Sequence, residues 1–215
     1  MFNCSSFVVV RHDRSGGRGG GVCVIVKKSY TIIPFNMSTT FDHLEVAGFD
    51  IVNAVPPVRV IVVYRPPYYD DASVRYASSL VEFFTECTSS RHRQHLIVGD
   101  LNLPRICWKN LSSPNETIHR MVFDFIVEAG FSQMVSSHTR GNNLLDVVLT
   151  DDDMLVPVVN LQPPIGFSDH SVIEFKITFC SGDTQSTSSL KPDTCIYQWH
   201  KTDFISMSLF LFNVD

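Results

Sequence analysis

Three short stretches of this sequence carry side chains able to move protons, hold a hard cation or steer a phosphate. Gly99-Asp100-Leu101-Asn102 closes the apolar run Leu96-Ile97-Val98. A β-branched run of that length reads as a buried strand, and period-two alternation turns Asp100 and Asn102 the same way at its end. The acid can take a proton, and the amide can orient a water or a phosphate oxygen. Asp146 lies inside Leu145-Asp146-Val147-Val148-Leu149-Thr150, where a carboxylate is costly without a partner. Ser168-Asp169-His170 precedes a further expected strand at 172–177. Taken singly, each has a plain structural reading as a turn, a cap or a half-buried histidine. Gathered at neighbouring strand ends, they suit metal-assisted phosphodiester hydrolysis: carboxylate oxygens for the cation, a base for water, and an imidazole held by a buried acid.

The rest of the chain supplies the elements that must gather them. Strands are expected at 7–10, 22–27, 30–34, 44–51, 58–64, 96–100, 131–135, 144–150, 156–161 and 172–177. Arg65-Pro66-Pro67 stops the strand that ends in Tyr64, because proline cannot donate to a ladder. Asp71 is the expected cap of a helix running to about residue 87, with Val74, Ala77, Val81 and Phe84 on one face. Ser113-Pro114-Asn115-Glu116 has the spacing of a capping box for a second helix that stops at Gly130. The glycines at 16, 17, 19, 20 and 21 are followed by a strand rather than a helix, so they read as a hairpin connection and not as a phosphate-cradling P-loop. Many short strands with two helices imply an α/β layered domain.

With 215 residues and 44% hydrophobic content, one sizeable core is expected. The net charge of −5 argues against coating nucleic acid by overall positive field, yet a nuclease can gather basic residues on one rim. Such clusters occur at Arg11-His12-Asp13-Arg14 with Arg18, at Lys27-Lys28 and at Arg91-His92-Arg93. The six cysteines show no metal-site spacing and read as reduced thiols of an intracellular protein. No apolar run approaches the ~18 residues of a membrane span. Residues 1–180 are expected to form the domain, 181–193 a polar linker, and 194–215 the start of a downstream region rather than a complete domain.

In this order the motifs resemble the endonuclease/exonuclease/phosphatase superfamily: Tyr64 in Val63-Tyr64-Arg65-Pro66-Pro67, Gly99-Asp100-Leu101-Asn102, Leu145-Asp146-Val147-Val148-Leu149-Thr150 and Ser168-Asp169-His170. The glycine-rich stretch from Asp13 to Gly21, with His138-Thr139-Arg140-Gly141, narrows the resemblance to the endonuclease of non-LTR retrotransposons. It runs from about Val9 to Ile177, and the segment 197–204 resembles a lead-in to a reverse-transcriptase region.

The resemblance implies a four-layer α/β/β/α sandwich of the DNase-I-like kind and a Mg²⁺- or Mn²⁺-dependent nick in DNA by a monomeric domain, nuclear where genomic DNA is the target. It casts Asp100 as the group that aligns or deprotonates the attacking water, also near the metal, and Asn102 as the one that positions that water. Asp169 would bind or orient the metal. Asp146 would hold His170, which stabilises the pentavalent phosphate, and Tyr64 would contact the scissile phosphate. Thr139, Arg140, Ser168 and Arg18 are further candidates for contacts to the substrate. In this family an asparagine and a metal-binding glutamate stand on strands ahead of the glycine-rich segment. Only a few residues precede it here, and Glu45, which follows it, does not correspond to that glutamate. The expectation is therefore a fold missing its N-terminal strands, weakened metal binding and little nicking. The alternatives are a repair-type or small-substrate phosphoesterase of the same superfamily, or an inactive nucleic-acid-binding fragment.

Overall fold

The computed structural model describes residues 6–14, 20–181 and 209–211. In chain order the elements are β1 (Phe7–Asp13), β2 (Gly21–Lys27), β3 (Ile32–Pro34), β4 (Glu45–Ile51), β5 (Ala54–Val55), β6 (Val58–Tyr64) and α1 (Asp71–Cys87). They continue with β7 (Gln94–Asp100), α2 (Thr117–Glu128), β8 (Ser132–Gln133), β9 (Asp146–Thr150), β10 (Val159–Gln162), β11 (Val172–Phe175), β12 (Cys180–Ser181) and β13 (Leu209–Leu211).

A six-stranded sheet in the order β3-β4-β6-β7-β9-β8 forms the centre, and only the β6–β7 pair is parallel. The crossover between those two strands is α1, as a parallel connection requires. Alternation along the central strands sends one set of side chains to each face. Val46, Ile61, Val63, Ile97, Val147 and Leu149 meet Ala77, Leu80, Phe83 and Phe84 of α1 and Val122, Phe125 and Ile126 of α2. The opposite face, with Phe49, Val60, Val62, Val98 and Val148, packs on Val22, Val24 and Val26 of β2. β2 belongs to a smaller sheet, β1-β2-β13, in which β1 runs antiparallel and β13 parallel to it. β10 with β11, and β5 with β12, add two antiparallel pairs.

This is the α/β sandwich that the sequence implied, with the layers helix, sheet and sheet present among the described residues. Both described helices cover the same side of the central sheet. The linker expected at 181–193 lies outside the described residues apart from Ser181, as does the downstream stretch apart from 209–211. No helix among the described residues is long and apolar enough to cross a membrane.

Two helix starts differ from expectation. Asp70, not Asp71, caps α1, its carboxylate accepting the Ser73 amide at 2.8 Å. The capping box at Ser113 is not used. The chain passes through it without helix, and α2 begins at Thr117 with Glu116 as a cap that makes no side-chain hydrogen bond. The Glu116 carboxylate is engaged by Arg105 and lies 3.1 Å from His119.

Candidate active site

Four central strands end side by side. Across β4, β6, β7 and β9, Glu45 is opposite Tyr64, Tyr64 opposite Asp100, and Asp100 opposite Asp146. Ladder partners point to one face. Val62 before Tyr64, Val98 before Asp100 and Val148 after Asp146 all belong to the core between the two sheets. The row therefore lies at one end of that inter-sheet layer, where apolar filling gives way to polar groups. Asp100 and Asp146 are only 3% and 5% exposed.

His170 completes the group. Its Nδ1 lies 2.8 Å from Asp146 Oδ2, and one ligand atom each from Asp100, Asp146 and His170 lies within 4.8 Å of the others. The loop that brings it in is tied down by a bridge between Arg140 and His170 and by the Ser171 amide donating to Thr139 O at 2.8 Å.

Asn102 joins by a different route from simple alternation. The strand stops at Asp100, and Asn102 takes φ +49°, in the left-handed region that asparagine tolerates better than most residues. In that turn its amide N–H donates to Asp100 Oδ1 at 2.8 Å, and its Nδ2 donates to Oδ2 at 3.0 Å.

The match to known sequences bears on the same span. Residues 58–174, more than half of the chain, match the family described as endonuclease-reverse transcriptase. The chain belongs to the endonuclease-reverse transcriptase family. No curated protein matches it. Among solved structures, the endonuclease domain of TRAS1, a telomere-specific non-LTR retrotransposon, superposes with a TM-score of 0.58 at 14% identity, covering 77% of this chain and 76% of that one. The 3′ phosphatase NExo from Neisseria, solved with a product DNA hairpin, gives 0.59 at 13% identity, with 82% and 81% covered. The 3′-5′ exonuclease NExo from Neisseria meningitidis gives 0.57 at 17%, with 80% of each chain covered. These likenesses show the fold of the endonuclease/exonuclease/phosphatase superfamily.

In this family member the electrostatics follow from burial. Desolvation, then the neighbouring Asp146 carboxylate, pushes the Asp100 carboxyl up to about 7, against the pull of the Asn102 amide. The hydrogen bond to Asp146 raises the His170 imidazole above its ordinary value and favours the imidazolium. Burial and the nearby Asp100 also raise the Tyr64 phenol. A buried carboxyl held near neutrality beside a second acid marks a site short of positive charge. Two carboxylates at this spacing fit a hard divalent cation, which commonly takes one or two carboxylates and completes its shell with water and substrate phosphate.

The other expected site residues sit around this group. Asp169 is at the rim, 65% exposed on its side chain, with its carboxylate on Arg140 Nε at 2.7 Å, which holds it below the usual carboxylate range. It lies 4.0 Å from His170 Nε2 and outside the Asp100, Asp146 and His170 group. Ser168 is exposed, and its Oγ accepts the His170 amide at 3.1 Å. Thr139 is buried, and its hydroxyl oxygen accepts the Leu145 and Asp146 amides at 3.1 Å, so it props the strand end that carries Asp146. Arg18 lies outside the described residues.

Two neighbours were given no site role of their own from the sequence, Glu45 being set aside as a metal ligand and Arg14 noted only within a basic cluster. Glu45 binds Arg14 Nε at 2.7 Å and the Gly21 amide at 2.7 Å, closing both ends of the glycine-rich connection onto the row. That leaves Arg14 with its guanidinium carbon 5.9 Å from the centre of the Tyr64 ring. The available signal was Glu45 itself, a second carboxylate beginning an apolar strand, as Asp146 does.

Proposed function

We propose that this chain is a metal-dependent phosphodiesterase of the retrotransposon endonuclease type, acting on DNA. The observation that carries the reading is the convergence of Asp100, Asp146 and His170 within 4.8 Å, with His170 Nδ1 on Asp146. The superfamily fold and the family match support it.

In this reading Asp100, held by two donors from Asn102, accepts hydrogen bonds from the attacking water and takes its proton. Asp146 fixes the His170 tautomer and sustains its positive charge, so His170 Nε2 donates to a phosphoryl oxygen as negative charge builds there. Tyr64 and Arg14 flank the same opening and suit contacts to phosphate oxygens, as does Arg140 on the other rim. Asp100 and Asp146 would hold a divalent cation, which would supply Lewis-acid stabilisation of the phosphate. With Asp146 already committed to His170, that set is poor in free charged oxygens, and we place Mg²⁺ or Mn²⁺ affinity and nicking rate at the weak end. The domain carrying this activity is residues 1–180.

The test is nicking of supercoiled plasmid by the full chain with Mg²⁺ against EDTA. The expected result is slow, EDTA-sensitive nicking that falls by roughly 10²–10⁴-fold in His170→Ala. Salt-sensitive DNA binding without cleavage, unchanged in His170→Ala, would instead establish a binding fragment. A second reading comes from the equally good superposition on the Neisseria 3′ phosphatase and exonuclease. Release of 3′-terminal phosphate or nucleotide without plasmid nicking would favour it.

A further inference from the structure

Arg65 has no exposed surface, and its guanidinium donates to three backbone carbonyls. Nε donates to Leu101 O at 2.6 Å, Nη2 to Asn102 O at 2.8 Å and Nη1 to Tyr68 O at 3.1 Å. Burying a guanidinium costs several kcal/mol of hydration, and an apolar side chain would fill the same volume without that cost. The planar fork does something an apolar residue cannot: it fixes the carbonyls of two successive residues at once.

Those carbonyls belong to the turn that places Asn102. The same segment is gripped from the backbone side, where the Arg65 amide donates to Asp100 O at 2.8 Å and Asn102 Nδ2 donates to Arg65 O at 2.8 Å. Tyr69 adds a third hold, its hydroxyl donating to Asn102 O at 2.6 Å while its ring lies 5.2 Å from the Arg65 guanidinium. An unsupported asparagine at φ +49° would relax toward the ordinary negative region, which L-residues favour. Relaxation would pull both Asn102 donors off the Asp100 oxygens.

We propose that Arg65, assisted by Tyr69, is a positioning residue that locks Asp100-Leu101-Asn102 in the left-handed turn and so docks the Asn102 amide on the Asp100 carboxylate. Its importance for turnover rests on the phosphodiesterase reading above; the lock itself does not.

The test uses the full chain with Arg65→Lys, which keeps the charge but not the fork, and Tyr69→Phe, which removes one hydroxyl from a half-exposed ring. Hydrogen exchange followed by NMR reads the Asn102 backbone amide against the amides of Ile97 and Val98. In Tyr69→Phe, Asn102 should lose at least tenfold in protection while the two strand amides keep theirs, and Arg65→Lys should exaggerate the loss. Single-turnover nicking should fall about tenfold in Tyr69→Phe at unchanged DNA Kd. Unchanged Asn102 protection in Tyr69→Phe, or a loss shared equally by Ile97 and Val98, would overturn the proposal even if Arg65→Lys failed to fold. Absence of nicking by the unaltered chain would sink the endonuclease reading and leave the exchange result to decide the lock.

Discussion

Asp100 is where burial and chemistry pull hardest against each other. In the unfolded chain its carboxyl titrates near the ordinary value of about 3.9; folded, it titrates at about 7. Folding takes up a proton between those values, so its stabilising contribution is full below about pH 4 and is lost as pH rises to about 7. His170, raised above its ordinary value, acts in the same direction, its contribution fading as pH passes its folded value. Asp50, held low by Arg59 and Arg93, acts in the acid range instead. The melting temperature of the metal-free chain should therefore fall between pH 5 and pH 8. Asp100→Asn should flatten most of that fall while abolishing cleavage, as thermal melts and a nicking assay on one preparation would show. At this scale the sequence was informative about acids in apolar company, since Asp146 stands out as a costly residue and Asp100 as an acid delivered by a buried strand. It was uninformative about Arg65 and Glu45, because whether a charged residue at a strand end faces water or grips a loop depends on neighbours distant in the chain.

The strands were legible because most are short runs rich in apolar residues, and each expected one has a counterpart among the described residues. Their ends were not, because hydrogen-bond competition sets an end and no local pattern records it. Two adjacent aspartates compete to cap α1, and Asp70 wins. Before α2, the box at Ser113 goes unused while Glu116 is drawn to Arg105. One residue within a strand makes a sharper claim. Gly99 adopts φ +147°, and a Cβ there would lie 1.8 Å from Val63 O on the neighbouring strand. That contact is backbone and has nowhere to go. Gly99→Ala should cost about 3 kcal/mol or more, read from urea unfolding, and should lower nicking further by displacing Asp100 from its row.

For the molecule as a whole, the net charge of −5 means that, in the reading proposed above, attraction for DNA would be local, at the rim carrying Arg14 and Arg140. In the same reading a divalent cation held by the buried pair Asp100 and Asp146 would stabilise the fold. At ten times its Kd, a cation bound only by the folded state adds about 1.4 kcal/mol. Millimolar Mg²⁺ should then raise the melting temperature at pH 8, and Asp100→Asn should remove that increment. The four-membered row from Glu45 to Asp146 also sets a rule for how this gene can change. Because neighbouring side chains along a strand look opposite ways, inserting or deleting one codon between Val58 and Tyr64, or between Gln94 and Asp100, would swing Tyr64 or Asp100 toward the helices. Both faces of these strands are packed, so volume-conserving apolar substitutions can drift there, but the codon count between those positions cannot.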